Sequence, residues 1–267
     1  MSKRSAIVIG ATGLVGQNLV KKLCEDVRYV SVTTIGRSKL TFTHEKLEQR
    51  ICSLDTISES DIDFAHEVFC CLGTTMKKAK TKEQFEKVDF EYPLNVASLA
   101  KNRGIEHFIV ISAMGASEKA AAYYSRVKGK LEKELIKLEF KRLSIIRPSL
   151  LTGDREEFRL GEKVGEGVLK VVNPLLIGPL KKIRSIPAEQ VAKAMLAVAL
   201  SPSKSPVTIY KSDQLLKMEI PLAKEEGTQM IDREATFKWN KVLNEDVVDD
   251  EVVFDRTKIK TVENQEK

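Results

Sequence analysis

The stretch AIVIGATGLVGQNLVKKLCED, residues 6–26, decides the fold. Ala6 to Ile9 is a short, wholly apolar run, the pattern of a central parallel strand covered on both faces. It breaks at Gly10, and Gly10, Gly13 and Gly16 follow three residues apart, directly before a segment with helical spacing. In a strand–loop–helix unit the first glycine makes a tight turn and the second lets backbone approach a pyrophosphate. The third lets the helix pack closely on the strand. The start of the helix adds free N–H groups and the positive end of its dipole, so a dinucleotide phosphate is the ligand this loop suits.

Outward from that unit the pattern repeats. YVSVTTI (29–35) is β-branched and reads as a second strand, and a third is predicted around Arg50 to Leu54. Val68–Leu72, Phe108–Ile111, Leu143–Ile146 and Val207–Tyr210 read as further strands. Between them, helices are predicted over Thr81–Arg103, Glu118–Leu138 and Ala188–Leu200. Pro93 belongs in a first turn or a kink because it has no N–H to give, and Gly104 suits a helix stop. Strand–helix alternation throughout predicts an α/β fold, a doubly wound parallel Rossmann sheet.

Residues 1–215 are expected to form this dinucleotide-binding domain. Within it, 151–187 carry Gly, Pro and apolar residues without a clean period and are read as a small C-terminal substrate lobe. Residues 216–267 lose hydrophobic periodicity and carry an acidic cluster, so they are read as an extra tail, disordered or loosely docked.

Bulk properties narrow the function. Of 267 residues 42% are hydrophobic, enough for a full core, and 44 basic against 38 acidic residues give a formal charge of +6. That balance favours anionic ligands such as phosphates. The basic residues alternate with acidic ones instead of forming a stripe, which argues against nucleic acid as a partner. Cys24, Cys52, Cys70 and Cys71 have no metal-site spacing, His44, His66 and His107 do not complete one, and no metal is expected. No run approaches the ~20 apolar residues of a membrane span. The apolar run near the start is too short for a signal peptide, so a cytoplasmic location is expected.

The end of the second strand selects the cofactor. A chain preferring NAD places an acid there for the ribose 2′-hydroxyl, whereas Gly36-Arg37-Ser38 stands here. Arg37 suits a bidentate contact with a 2′-phosphate and Ser38 adds a donor, so NADP(H) is favoured over NAD(H). The reactive cluster follows the fifth strand. Ser112 ends that strand at the carboxyl edge, where open α/β sheets bind ligands, and Tyr124 and Lys128 come twelve and sixteen residues later. Four residues apart on a helix, the phenol and the ammonium share one face. The ammonium favours phenolate, so Tyr124 is expected to exchange a proton with a carbonyl oxygen, with Ser112 hydrogen-bonded to the same oxygen. Tyr123, the competing phenol, has Val127 four residues on.

The glycine loop, Ser112, the Tyr124/Lys128 pair and Arg147-Pro148 resemble the short-chain dehydrogenase/reductase superfamily. CLGTT (71–75), Val88-Asp89 with Tyr92, SAMGA (112–116), YSRVKGKLE (124–132) and RPSLLTGDRE (147–156) are similar to the Tat-interacting oxidoreductase group, an atypical branch with bacterial and fungal relatives. The resemblance covers residues 5 to about 215. It implies that Gly10, Thr12, Gly13, Leu14 and Val15 line the phosphates and that Asp55 lies near the adenine. It further implies that Leu72, Gly73 and Thr74 pass beside the adenine ribose, and that Pro148, Leu150 and Leu151 shape the nicotinamide pocket. Ser112, Tyr124 and Lys128 are then catalytic. The leading expectation is an NADPH-dependent reductase of a small carbonyl compound. The rival is a non-catalytic NADP(H)-binding regulator acting through a protein partner.

Overall fold

The computed structural model describes residues 3–153, 185–203 and 205–223. Its centre is a sheet of seven parallel strands: β1 (Arg4–Ile9), β2 (Tyr29–Gly36), β3 (Leu47–Ile51), β4 (Glu67–Cys70), β5 (His107–Ile111), β6 (Arg142–Arg147) and β9 (Val207–Lys211). Their order across the sheet is β3-β2-β1-β4-β5-β6-β9. Two-residue strands β7 (Leu151–Thr152) and β8 (Ile186–Pro187) pair beside it. The chain winds outward from β1 in one direction and returns to build from β4 in the other, so the β1/β4 boundary is the switch point of a doubly wound fold.

Both faces are covered, which explains the unbroken apolar runs. Alternate residues of β1 enter different cores. Ala6 and Val8 pack under α1 (Leu14–Glu25) and α6 (Ala188–Leu200), with Leu19, Leu23, Val191 and Met195. Ile7 and Ile9 pack on the other face under α4 (Tyr92–Asn102) and α5 (Tyr123–Lys137), with Val96, Ala100, Leu131 and Leu135. Each large side chain so buried is worth roughly 1.5–3 kcal/mol, and the two layers together hold the sheet. The last described segment joins the first core through Met218 and Ile220, and the Gln190 side chain donates to the carbonyls of Leu215 and Met218.

Three predicted boundaries shift. The third strand is Leu47–Ile51, not Arg50 to Leu54. Among the described residues it is an edge strand paired with β2 alone; three of its five side chains are polar and its apolar signal is weak, while Leu54 is buried from the loop beyond. The helix predicted over Thr81–Arg103 divides into α3 (Lys82–Glu86), a π-turn (Lys87–Glu91) and α4. Pro93, in the first turn of α4, cannot donate to the preceding turn, and the winding loosens just before it. A short helical turn, α2 (Met76–Ala79), precedes this group. The helix predicted from Glu118 starts at Tyr123. Residues 117–122 instead form turns in which the Arg126 guanidinium donates to the carbonyls of Ala120 and Ala121. Most of the predicted substrate lobe, residues 154–184, and the tail from 224 lie outside the described residues. No helix among the described residues is long and apolar enough to cross a membrane.

Candidate functional site

The glycine loop sits at the switch point. Gly10 has φ +78°, and a Cβ there would lie 2.8 Å from the Cys71 backbone carbon. At Gly16 a Cβ would strike the Gly10 carbonyl at 2.3 Å. The loop is therefore pressed against β4's exit on one side and against its own helix on the other, and neither position has room for a side chain. Gly13 caps α1 without a side-chain hydrogen bond, which leaves the first turn's N–H groups facing outward for an anion.

Two cavities flank the loop, and consecutive loop residues serve both. Gly10, Ala11 and Thr12 line the first with Thr34, Gly36, Arg37, Ser38, Leu54, Asp55, Leu72, Val88 and Tyr92. Gly13, Leu14 and Val15 line the second with Cys71, Leu72, Gly73, Tyr124, Lys128 and Leu151. The first opens to solvent. A dinucleotide laid across the loop would place its adenosine half in the first cavity and its second nucleoside in the other. Arg37 is exposed at the wall of the first, and among the described residues it has no acidic partner, so its charge is free for an anionic ligand.

Asp55 stands in the first cavity with a built environment. The Tyr92 hydroxyl donates to it at 2.9 Å and the Lys87 ammonium pairs with it at 2.5 Å. Hydrogen bonds from Lys87 and then Tyr92 hold its carboxyl below the ordinary aspartate range. At the other end, Lys128 is fully buried, and its Nζ lies 2.9 Å from Asp89 Oδ1 and 3.4 Å from the Ile111 carbonyl oxygen. Burial acts most strongly on Lys128 and pulls its pKa down, but Asp89 and Tyr124 together outweigh it and hold the ammonium above its usual value. Tyr124 is half-buried with its ring edge-on to Phe85, 5.8 Å between centroids. Tyr123 faces elsewhere and donates to Glu86 at 3.0 Å.

The remaining predicted residues are distributed as follows. Ser112 is 2% exposed, donates its hydroxyl to Glu132 and lines neither cavity. Glu132 is also bound by Arg147 through both guanidinium arms, one at 2.9 Å, which raises the pKa of Arg147. Thr74 touches the site through its backbone N–H, which donates to Asp89 Oδ2 at 2.7 Å. Pro148 is buried and accepts from the Met114 N–H at 3.0 Å, while the Leu150 carbonyl accepts from Ile186 at 2.9 Å. These two therefore brace the loop next to Leu151.

Sequence reasoning missed the partners of the polar residues. Asp89 lies inside an interrupted helix, where no regular period marks it. Glu132 had a usable signal: Tyr124, Lys128 and Glu132 form an i, i+4, i+8 stripe on α5, and only the first two were read.

Comparison with known proteins shows the family and the fold. A family profile described as NAD(P)H-binding matches residues 10–202. The rat protein HTATIP2 is 33% identical over 223 residues, covering 82% of this chain and 90% of its own. The mitochondrial protein FMP52 of Eremothecium gossypii is 32% identical over 229 residues, covering 84% and 100%, and that of Meyerozyma guilliermondii is 34% identical over 212, covering 75% and 87%. Among solved structures, a UDP-N-acetylglucosamine 4-epimerase from Methanobrevibacter ruminantium superposes with TM-score 0.61 at 16% identity, covering 79% of this chain and 77% of that one. MoeE5 in complex with UDP-glucuronic acid and NAD gives 0.59 at 15%, covering 77% and 75%. At such identities these two show the shared fold. The fungal relatives are named as mitochondrial proteins, and this overturns the cytoplasmic expectation, which rested on no more than a missing leader pattern. The chain belongs to the NAD(P)H-binding family, in the branch that holds HTATIP2 and FMP52.

Proposed function

We propose that the protein is an NADPH-dependent reductase of a small carbonyl compound, with Tyr124 as the proton donor. The observation that carries this reading is the division of one crevice by the glycine loop: an arginine with no acidic partner among the described residues in one cavity, a tyrosine and a buried ammonium in the other. Bound NADPH would supply the hydride. Arg37 and Ser38 would hold its 2′-phosphate, and the first turn of α1 its pyrophosphate. Tyr124 would deliver the proton to the carbonyl oxygen from the wall of the second cavity, and the neighbouring Lys128 charge would stabilise the phenolate left behind. Ser112 would reach the same oxygen only by turning away from Glu132, so Tyr124 carries more of the chemistry.

A screen of small aldehydes and ketones for NADPH oxidation tests this. Tyr124→Phe is expected to lower turnover by about 10²–10⁴-fold while cofactor affinity stays near wild type. Unchanged turnover in that variant removes Tyr124 from the mechanism. The second reading, a nucleotide-binding regulator working through a protein partner, is supported by the hydroxyl of Ser112 being occupied by Glu132. Tight NADPH binding with no turnover of any carbonyl compound would favour it.

A further inference from the structure

We propose that Asp89 is a positioning residue that fixes the ammonium of Lys128 and ties it to the loop Leu72–Thr74 lining the cofactor crevice. The inference builds on the cofactor reading above and adds a residue that it does not use. Asp89 is fully buried, and its two carboxylate oxygens serve different elements. Oδ1 lies 2.9 Å from Lys128 Nζ on α5, and Oδ2 accepts from the Thr74 N–H at 2.7 Å. One carboxylate thus clamps the helix that carries Tyr124 to the strand exit that carries Leu72 and Gly73. An ammonium removed from water needs a counter-ion, and among the described residues Lys128 otherwise donates to the Ile111 carbonyl at 3.4 Å.

The π-turn explains why this residue can do so. Over three successive positions, Lys87 pairs with Asp55 in the first cavity, Val88 lines that cavity, and Asp89 turns inward to the second. A regular helix turns 100° per residue and a wider turn less, so the π-turn keeps Lys87, Val88 and Asp89 together on the side that faces the crevice. The same five residues therefore brace both the adenosine half of the site and the lysine beneath the other half.

The test needs no substrate. Unfolding by urea is measured from pH 6 to pH 10 for wild type, Asp89→Asn, Lys128→Met and the double variant. Asparagine keeps the volume and the acceptor for Thr74 but removes the charge. In Asp89→Asn the buried ammonium then has no counter-ion and its folded pKa falls below the unfolded value, so the unfolded chain binds the extra proton and stability rises with pH. The expected result is a loss of stability that shrinks toward pH 10 and disappears in the Lys128→Met background. If Asp89→Asn alone does not fold, its rescue by Lys128→Met is the expected outcome. A loss that is constant with pH and equal in both backgrounds, or a failure to fold that Lys128→Met does not rescue, overturns the proposal.

NADPH titrations of the same proteins separate this claim from the cofactor reading. The positioning role predicts that Asp89→Asn weakens NADPH increasingly as pH rises above neutrality, whereas wild type stays flat over that range. Equal pH profiles would overturn the positioning role even with the ion pair established. Wild type that binds no NADPH at all would remove the cofactor reading while leaving the urea result to judge the pair.

Discussion

The Ser112 hydroxyl donates a hydrogen bond to Glu132, and half-buried Arg147 completes a chain of three groups across β5, α5 and β6. Removing the hydroxyl leaves Glu132 still neutralised by Arg147, so the expected cost of Ser112→Ala is one hydrogen bond to a charged group, about 1.5–3 kcal/mol by urea unfolding. Because that hydroxyl is engaged by Glu132 and Ser112 lines neither cavity, Ser112→Ala is also expected to slow carbonyl turnover less than Tyr124→Phe does. A variant that keeps its stability but loses turnover as completely as Tyr124→Phe would show that Ser112 swings into the cavity during the reaction. At this scale the sequence carried part of the site. Gly10, Gly13, Tyr124 and Lys128 were legible because each belongs to a local spacing: three glycines after a strand, two polar residues one helical turn apart. Asp89 and Arg147 were not read as partners, because their meaning depends on contacts between elements 39 and 15 positions apart in the chain, which no local period encodes.

Helix α5 is placed by the small residue one position after its lysine. A Cβ on Gly129 would lie 2.2 Å from the Ser117 carbonyl carbon and 2.5 Å from the Glu118 nitrogen, so the helix rides directly on the backbone of the loop that follows Ser112. Gly129→Ala should push the helix off that loop. Overpacking against backbone, which cannot rotate away, is expected to cost roughly 3 kcal/mol. The displacement moves Tyr124 and Lys128 together, so NADPH affinity should fall in the same variant. Unaltered thermal stability would mean that the loop yields instead. Elements with strong periodicity were legible from sequence, and the strands buried on both faces, β1, β5 and β6, stand close to where their apolar runs put them. Elements without such a signal were misplaced. The edge strand β3 presents a half-polar sequence, and the π-turn before Pro93 has no period of its own, so one long helix was expected where three pieces lie.

Across the whole molecule the two edges of the sheet do different work. The carboxyl edge holds the crevice, while the opposite edge carries a row of polar groups: half-buried Arg4 bound to buried Glu67, and buried His107 with its Nε2 3.0 Å from the Ser144 hydroxyl. Burial first, then the charges of Arg142 and Arg4, push the His107 pKa down to about 3. The folded protein therefore keeps this imidazole neutral while the unfolded chain protonates it near pH 6.5. The unfolded state binds the extra proton between those limits, so the stability is complete above about pH 6.5 and is lost as pH falls toward 3, by about 1.4 kcal/mol per unit. Burial moves Glu67 the other way, so that its own contribution fades as pH rises above the ordinary carboxylate range. The His107 share is isolated by comparing wild type with His107→Gln between pH 6.5 and 4.5, where the wild-type curve should be steeper; parallel curves would show that the imidazole charges within the fold. The central claim concerns the carboxyl edge, where the glycine loop and Arg37 line one cavity. Calorimetric titration with NADPH and, separately, NADH tests it most directly. The expected result is binding of both, tighter for NADPH, with the preference lost in Arg37→Ala. Binding of neither nucleotide would contradict the account.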